Sequence, residues 1–287
     1  MKTNFCSDKT CTIFGLVING VLILIKFIAG LVGKSQTMIA DSIHSLSDEV
    51  ATLIVFISLK YSKKPPDKNH PYGHGNLEVI TAFFVSCLIL ITGIFLGYSA
   101  IHTIVHKHYV IPETMTIYAA ILSIITKELL FRYTYYVGKN LNSTMLIANA
   151  YDHRSDALSS VGALVAILAA KVALPIMDSI GSIIISLFVL KMGIDVLKEN
   201  VFIIMDTVPS QKVQSDVEHL ISKVNGVKNF SFAKIHPVGR YYFIETEILV
   251  DKQLTLEEAH SIAEEVKTVL KTYIPQIKDV VVHIEPQ

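Results

Sequence analysis

The sequence carries little charge for its length. Asp, Glu, Lys and Arg make up only 17% of the 287 residues, whereas hydrophobic residues make up 51%. The 25 basic and 25 acidic residues give a formal net charge of zero, so the composition does not indicate a nucleic-acid partner. With a mean hydropathy of +0.49, the chain is typical of membrane proteins and not of ordinary soluble domains.

Cysteine is scarce as well. The three residues Cys6, Cys11 and Cys87 do not make a disulfide framework, and the Cys6/Cys11 spacing is not that of a zinc knuckle. We interpret this pair as two reduced thiols, with capture of a soft metal as the alternative. A small-residue cleavage site after a short apolar core is also missing, which predicts a retained first helix and not a signal peptide.

Long apolar runs are plentiful. Six of them approach the roughly 20 residues that span a bilayer; they cover residues 13–33, 38–61, 77–105, 112–134, 144–170 and 176–198. The basic residues concentrate in the loops after the second and fourth runs. The positive-inside rule therefore predicts a multi-pass protein of the inner or plasma membrane with both termini in the cytoplasm.

The composition changes near Pro209, which predicts a transmembrane domain at 1–207 and a soluble domain at 208–287. An amphipathic helix is expected over Ser210–Val224, followed by strands at Phe230–Ile235 and Tyr241–Val250. A second helix begins at Thr255, and a last strand covers Asp279–Ile284. The order αββαβ predicts two helices on one face of a three-stranded sheet.

Two of the apolar segments carry matched pairs of potential metal ligands. His44 and Asp48 lie four residues apart in the second segment, as do Asp152 and Asp156 in the fifth. This spacing puts each pair on one helix face, about 6 Å apart along the axis. Ionisable groups at membrane depth usually mark an ion pathway. We expect the four residues to bind one divalent cation, with His153 as the alternative to Asp152.

The chain resembles the cation diffusion facilitator family in four stretches that occur in the expected order. They are the HxxxD of His44 and Asp48, the DHRSD of Asp152–Asp156, the loop Pro65–Glu78 and the end His283–Pro286. The resemblance implies a proton-coupled exporter of divalent metals and not an enzyme. It also implies six membrane helices, a ferredoxin-like cytoplasmic domain and a homodimer.

The resemblance further implies two metal sites outside the membrane. A loop site would use Asp67, His70 and His74, and a cytoplasmic-domain site would use four residues: Glu247, His260, His283 and Glu285. Ser231 replaces a ligand that the family usually has before the hairpin. We expect no tightly bound cofactor; the divalent metal is the transported substrate and a possible regulator.

The chemical types of the four predicted transport ligands indicate which metal ion they prefer. Carboxylates suit manganese and other hard ions, whereas imidazole suits zinc, iron, copper and nickel. Three aspartates with one histidine therefore favour Mn²⁺ or Fe²⁺, with Zn²⁺ possible. The alternatives are a zinc- or cobalt-preferring member of the family, an uncoupled channel and a membrane-anchored sensor. A metalloprotease is disfavoured because no HExxH motif occurs.

Overall fold

The computed structural model describes residues 8–62, 64–140, 144–172, 174–208 and 210–287. Cys6 lies outside them, so the interpretation of the Cys6/Cys11 pair stays a prediction. The chain forms two compact units, described separately below. One comprises the residues up to Leu53 together with Val85–Asp195, and the other comprises Ile54–Phe84 together with Val196–Gln287.

Six long helices precede the soluble elements. They are α1 (Asp8–Val32), α2 (Gln36–Tyr61), α3 (Asn76–Val105), α4 (Thr114–Asn140), α5 (Thr144–Val172) and α6 (Ile176–Ile204). Within the described residues, five of these helices, α1 and α3 to α6, contain a stretch long and apolar enough to cross a membrane. The six predicted segments are thus six helices, with boundaries shifted by a few residues.

The outer faces of these helices are apolar. Side chains more than half exposed include Val17, Leu24, Leu88, Phe95 and Phe188. Exposed apolar surface on this scale is not typical of a soluble monomer, and a lipid environment covers it without leaving backbone groups unpaired, because helices satisfy their own hydrogen bonds. The first unit is therefore a helical domain of the membrane type.

The start of α2 is held by a residue of α6. Asp178 accepts hydrogen bonds from Ser35 Oγ at 2.6 Å, from the backbone N–H of Gln36 at 2.6 Å and from that of Thr37 at 3.3 Å. The first N–H groups of a helix have no partner within the helix, and a carboxylate also suits the positive end of the helix dipole. Asp178 therefore fixes the beginning of the helix that carries His44 and Asp48.

The soluble elements are α7 (Gln211–Ser222), β1 (Asn229–Val238), β2 (Tyr241–Val250), α8 (Leu256–Tyr273) and β3 (Ile277–Pro286). The sheet order is β1-β2-β3; β1 and β2 are antiparallel, and β2 and β3 are parallel. Thr255 and Glu258 form the predicted capping box at α8. The αββαβ order is confirmed, and β3 begins two residues earlier than predicted.

The core of this domain lies between the helices and one face of the sheet. It includes Val217 and Ile221 from α7, Ile244 and Ile248 from β2, and Val266 from α8, all essentially inaccessible to solvent. Alternate residues of β2 and β3 point to the opposite face of the sheet, which the described helices α7 and α8 do not cover. That face carries the acidic and histidine side chains considered below.

The loop between α2 and α3 contacts the β1–β2 turn within the second unit. Asn76 Oδ1 accepts a hydrogen bond from the backbone N–H of Gly239 at 3.1 Å, and the Tyr72 ring meets Phe243 edge-on at 5.1 Å between centroids. Gly239 has a φ of 61°, and a Cβ there would lie 2.6 Å from the carbonyl oxygen of Gly75. Glycine is thus required at this turn both by conformation and by the close approach.

Candidate metal centre

Three of the four predicted transport ligands lie together in the first unit. One ligand atom each from His44, Asp48 and Asp156 is within 4.8 Å of the others. His44 and Asp48 come from successive turns of α2, and their Nδ1 and Oδ2 atoms are 3.8 Å apart. Asp156 comes from α5. One imidazole and two carboxylates at this spacing can bind one cation.

The cluster opens into a cavity of about 340 Å³. Described residues of five helices line it. The polar lining residues are Asn19, His44, Ser45, Asp48, Glu49, Thr52, Lys127, Asn149, Asp152, His153, Ser155 and Asp156. Polar groups at membrane depth face such cavities because lipid does not solvate them.

Two ligand atoms of the cluster, which lie 3.8 Å from each other, lack a hydrogen-bond partner. His44 Nδ1 and Asp48 Oδ2 are buried, and neither accepts or donates a hydrogen bond among the described residues. Buried polar atoms are normally hydrogen-bonded, and an exception calls for a water or an ion. Two buried ligand atoms without hydrogen-bond partners thus fit a cation-binding site.

Asp152 and His153 both line the cavity but stand outside the three-residue cluster. Asp152 lies one turn from Asp156 and is exposed. His153 is 4% exposed, its Nε2 has no partner in the described part of the chain, and a Cβ at Gly15 of α1 would lie 3.7 Å from that atom. The structure thus assembles three predicted ligands and places both versions of the fourth at the same wall.

A residue not singled out in the sequence, Lys127 of α4, contacts the cluster directly. Its Nζ lies 2.6 Å from Asp156 Oδ2, and its side chain is only 2% exposed. The sequence signal was available, because a lysine inside an apolar segment is as unusual as an aspartate there. The identity of its partner, Asp156, is not predictable from the sequence, because it depends on how α4 packs against α5.

A second buried ion pair lies beside the site. Lys26 Nζ of α1 is 2.6 Å from Asp41 Oδ2 and 2.9 Å from Ser45 Oγ. Ser160 of α5 donates a hydrogen bond to Asp41 at 3.1 Å and contacts Ser123 of α4 at 3.0 Å. Asp41, on the ligand-bearing face of α2, is thus neutralised by Lys26 of α1 and is joined through Ser160 and Ser123 to two further helices, α5 and α4.

The predicted loop ligands also come together. Asp67, His70 and His74 offer ligand atoms within 4.8 Å of one another, and His74 Nε2 is 3.4 Å from Asp67 Oδ2. Hydrogen bonds from the backbone N–H groups of His70 and Asn69 hold the pKa of the exposed Asp67 carboxyl below its usual range. The carboxylate is therefore ionised and pre-positioned between the two imidazoles.

Three of the four predicted cytoplasmic-domain ligands meet on the open face of the sheet. Glu247 and His283 are register partners on β2 and β3, and His283 Nε2 lies 2.9 Å from Glu285 Oε1. The three ligand atoms are within 4.8 Å of one another. His260 is not part of this group, because α8 packs on the other face of the sheet. Ser231 sits at the β1 bulge, between Phe230 and Phe232.

The comparison with known proteins defines the class. The profile of the cation efflux transmembrane domain matches residues 12–205, and that of the cation efflux protein cytoplasmic domain matches residues 209–287. The chain belongs to the cation efflux family, also called the cation diffusion facilitators. It is a multi-pass membrane transporter of metal cations, with a helical membrane domain followed by a small α+β domain, which confirms the predicted family and fold class.

Individual relatives are similar over almost their whole length. An uncharacterized transporter of Methanocaldococcus jannaschii is 36% identical over 95% of this chain and 96% of its own. The manganese efflux system protein MneP of Bacillus subtilis is 30% identical over 97% and 96%. The magnetosome protein MamB of Magnetospirillum gryphiswaldense is 32% identical over 92% and 89%. Among solved structures, the MamM C-terminal domain is 27% identical over 27% of this chain and 98% of its own, with a TM-score of 0.26.

Proposed function

We propose that the protein exports divalent transition-metal cations, preferring Mn²⁺ or Fe²⁺, from the cytoplasm in exchange for protons. The observation that supports this most strongly is the cluster of His44, Asp48 and Asp156 in a polar cavity of the membrane domain, with two ligand atoms unpartnered. A transport site needs ligands that bind a cation without enclosing it permanently. An open cavity lined by carboxylates meets this need.

The metal preference follows from the donors. Two carboxylates and one imidazole, with the Asp152 carboxylate at the same wall, form a hard, oxygen-rich set that suits Mn²⁺ and Fe²⁺ better than Cu⁺. A thiolate is absent from the described cavity lining. We assign Asp152 as the fourth ligand, because it forms an i,i+4 pair with Asp156 on α5, just as His44 does with Asp48 on α2. The similarity to MneP, named a manganese efflux protein, agrees with this preference.

Proton exchange follows from the same residues. A metal requires neutral imidazole and ionised carboxylates, so metal and protons compete for the site. His44 is the natural proton carrier, since histidine changes charge near neutral pH. Protons entering from outside would load the empty site, and cytoplasmic metal would then displace them. Coupling arises from this competition without a separate proton channel.

The soluble domain is assigned a regulatory role in a homodimer at the cytoplasmic side of the inner or plasma membrane. Residues 209–287 match the profile of the family's cytoplasmic domain. The group of Glu247, His283 and Glu285 lies on the exposed face of the sheet, where metal reaches it without passing through the membrane. Metal bound there favours export only if it binds one conformation better than the other.

Transport into proteoliposomes with an imposed pH gradient tests the proposal. Uptake of Mn²⁺, Fe²⁺, Zn²⁺ and Co²⁺ would be compared for the parent protein and Asp152→His. We expect saturable uptake that requires the pH gradient, a parent preference for Mn²⁺ or Fe²⁺, and a shift toward Zn²⁺ in the variant, because imidazole favours zinc.

Two outcomes would contradict parts of this proposal. Uptake that is independent of the pH gradient would indicate an uncoupled channel. A parent preference for Zn²⁺ that Asp152→His leaves unchanged would show that Asp152 does not set the metal, and a zinc-preferring exporter would then be the better description. Asn149→His is the matched control, since it adds an imidazole to the same cavity wall one turn before Asp152.

A further inference from the structure

We propose that Lys127 competes with the transported cation for the carboxylate of Asp156. The lysine ammonium pairs with this carboxylate when no metal is bound, and an arriving metal ion must displace it. This inference rests on the proposed function, since it concerns the same site. It assigns the lysine a role in affinity and release. It does not make Lys127 a ligand.

The geometry gives the first part of the argument. Lys127 Nζ is 2.6 Å from Asp156 Oδ2, and the lysine lines the cavity that holds the cluster. The same carboxylate belongs to the group whose ligand atoms lie within 4.8 Å of one another. A divalent cation bound by this group would therefore come close to the ammonium. Like charges repel at such a distance, and more strongly in a site with little water.

The shape of the side chain gives the second part. Lysine carries its charge on a flexible four-carbon stem, and the cavity offers about 340 Å³ for it to move into. The ammonium can thus leave Asp156 when metal arrives and return when metal departs. An aspartate left without a partner in a buried site is costly, and the returning lysine removes this cost and so assists release of the metal.

The other buried lysine provides a contrast. Lys26 is paired with Asp41 at 2.6 Å and also donates a hydrogen bond to Ser45 at 2.9 Å. It is completely buried and is not among the described residues that line the cavity. Lys26 thus holds helices together, whereas Lys127 holds a ligand. Two lysines with similar ion pairs but different surroundings make a matched experiment possible.

The test is calorimetric titration of Mn²⁺ into the purified full-length protein. A background carrying His70→Ala, His74→Ala and His283→Ala removes the loop and sheet clusters, so that the membrane site is measured alone. In this background we expect Lys127→Gln to bind Mn²⁺ about tenfold more tightly, because a like charge has been removed. We expect Lys127→Arg, which keeps the charge, to bind as weakly as the parent.

Lys26→Gln is the control for loss of a buried lysine. It is expected to lower the melting temperature without raising the affinity. In proteoliposomes, Lys127→Gln should lower KM and also lower the maximal rate, since tighter binding slows release. A merely structural role for Lys127 would reduce the rate without lowering KM.

Several results would overturn the inference. Unchanged or weaker Mn²⁺ binding in Lys127→Gln contradicts it, and if Asp48→Asn at the same time abolishes binding, the proposed transport site still stands. If Asp48→Asn leaves binding unchanged, the transport site itself is wrong and the inference falls with it. Should Lys127→Gln not fold, a structure of the parent with Mn²⁺ bound decides: Lys127 must have left Asp156, and a retained ion pair refutes the competition.

Discussion

The membrane cluster and the sheet cluster have the same composition but different surroundings. Each combines one histidine with two carboxylates, and in each the three ligand atoms lie within 4.8 Å of one another. In the membrane cluster, His44 and Asp48 are 16% and 29% exposed. In the sheet cluster, His283 and Glu285 are 63% and 47% exposed. The two three-residue clusters therefore differ mainly in their environment.

The environment decides what each cluster can do. The membrane cluster is the more deeply buried of the two, so its charges interact more strongly, and Lys127 is an effective partner of Asp156. On the sheet, the ligands belong to two hydrogen-bonded strands in fixed register, and the solvent screens their charges. These surroundings support the proposal that the first site binds and releases the transported cation and that the second responds to its concentration.

The largest expected effect comes from removing one carboxylate charge in each cluster. Asp48→Asn should lower Mn²⁺ transport by about 100-fold or more, because a charged ligand is lost where water cannot replace it. Glu247→Gln, the matched change on the sheet, should lower transport less than about fivefold, because the solvent and the remaining ligands compensate.

Transport assays in proteoliposomes at equal protein density measure both variants. Similar losses of transport in the two variants would mean that the two clusters do not differ in role, since the sheet cluster would then be part of the transport pathway. A normal rate in Asp48→Asn would remove the membrane cluster from the pathway altogether.

An intermediate effect is expected for metal-dependent stability. A ligand that binds only the folded protein stabilises it by about 2.7 kcal/mol at a concentration 100 times its Kd. His283→Ala should remove this contribution from the soluble domain while leaving transport in the absence of regulation intact. Hydrogen exchange of the full-length protein with and without Mn²⁺ measures this contribution. In His283→Ala, adding Mn²⁺ should no longer increase the protection of β2 and β3. Metal-dependent protection that persists in His283→Ala would place the metal elsewhere.

The smallest effect concerns a surface ion pair of the same domain. The hydrogen bond from Lys271 lowers the pKa of the Asp279 carboxyl. A lowered pKa in the folded state stabilises the fold above the unfolded pKa of about 3.9, and this contribution is lost as the pH falls through the folded pKa. Asp279→Asn should thus cost about 0.5 kcal/mol at pH 7.

At acidic pH, once the pH has fallen below the folded pKa of the carboxyl, the cost of Asp279→Asn should vanish. Hydrogen exchange of β3 at both pH values, with Lys271→Gln as the partner control, measures it. A cost well above 1 kcal/mol would mean that this exposed pair behaves like the buried pairs of the membrane unit, and that solvent screening does not weaken it as expected.

Most of the fold was predictable from the sequence because its signals are local. Apolar runs of membrane length mark α1 to α6, and alternating patterns mark the strands. The capping box at Thr255 marks the start of α8. Helix α4 extends to Asn140, beyond its predicted end, because a fall in hydropathy marks the end of the apolar stretch and not the end of the helix.

The candidate site was predictable only in part, for reasons of packing. The i,i+4 spacing predicts that His44 and Asp48 share a face, and the structure brings Asp156 to them. The position of Asp152 outside the group depends on the rotation of α5, which no local pattern specifies. The ion pair of Lys127 depends on how α4 packs against α5. Likewise, His260 lies on the helix layer and not on the ligand-bearing face of the sheet, so its predicted membership of that cluster is not met within the described chain.

The most direct test of the central claim is to locate manganese in the full-length protein by anomalous diffraction after equilibration with Mn²⁺. We expect a manganese peak at about 2.0–2.3 Å from ligand atoms of His44, Asp48 and Asp156, with Asp152 drawn toward it. Peaks confined to the sheet or loop clusters, with none among these three residues, would contradict it.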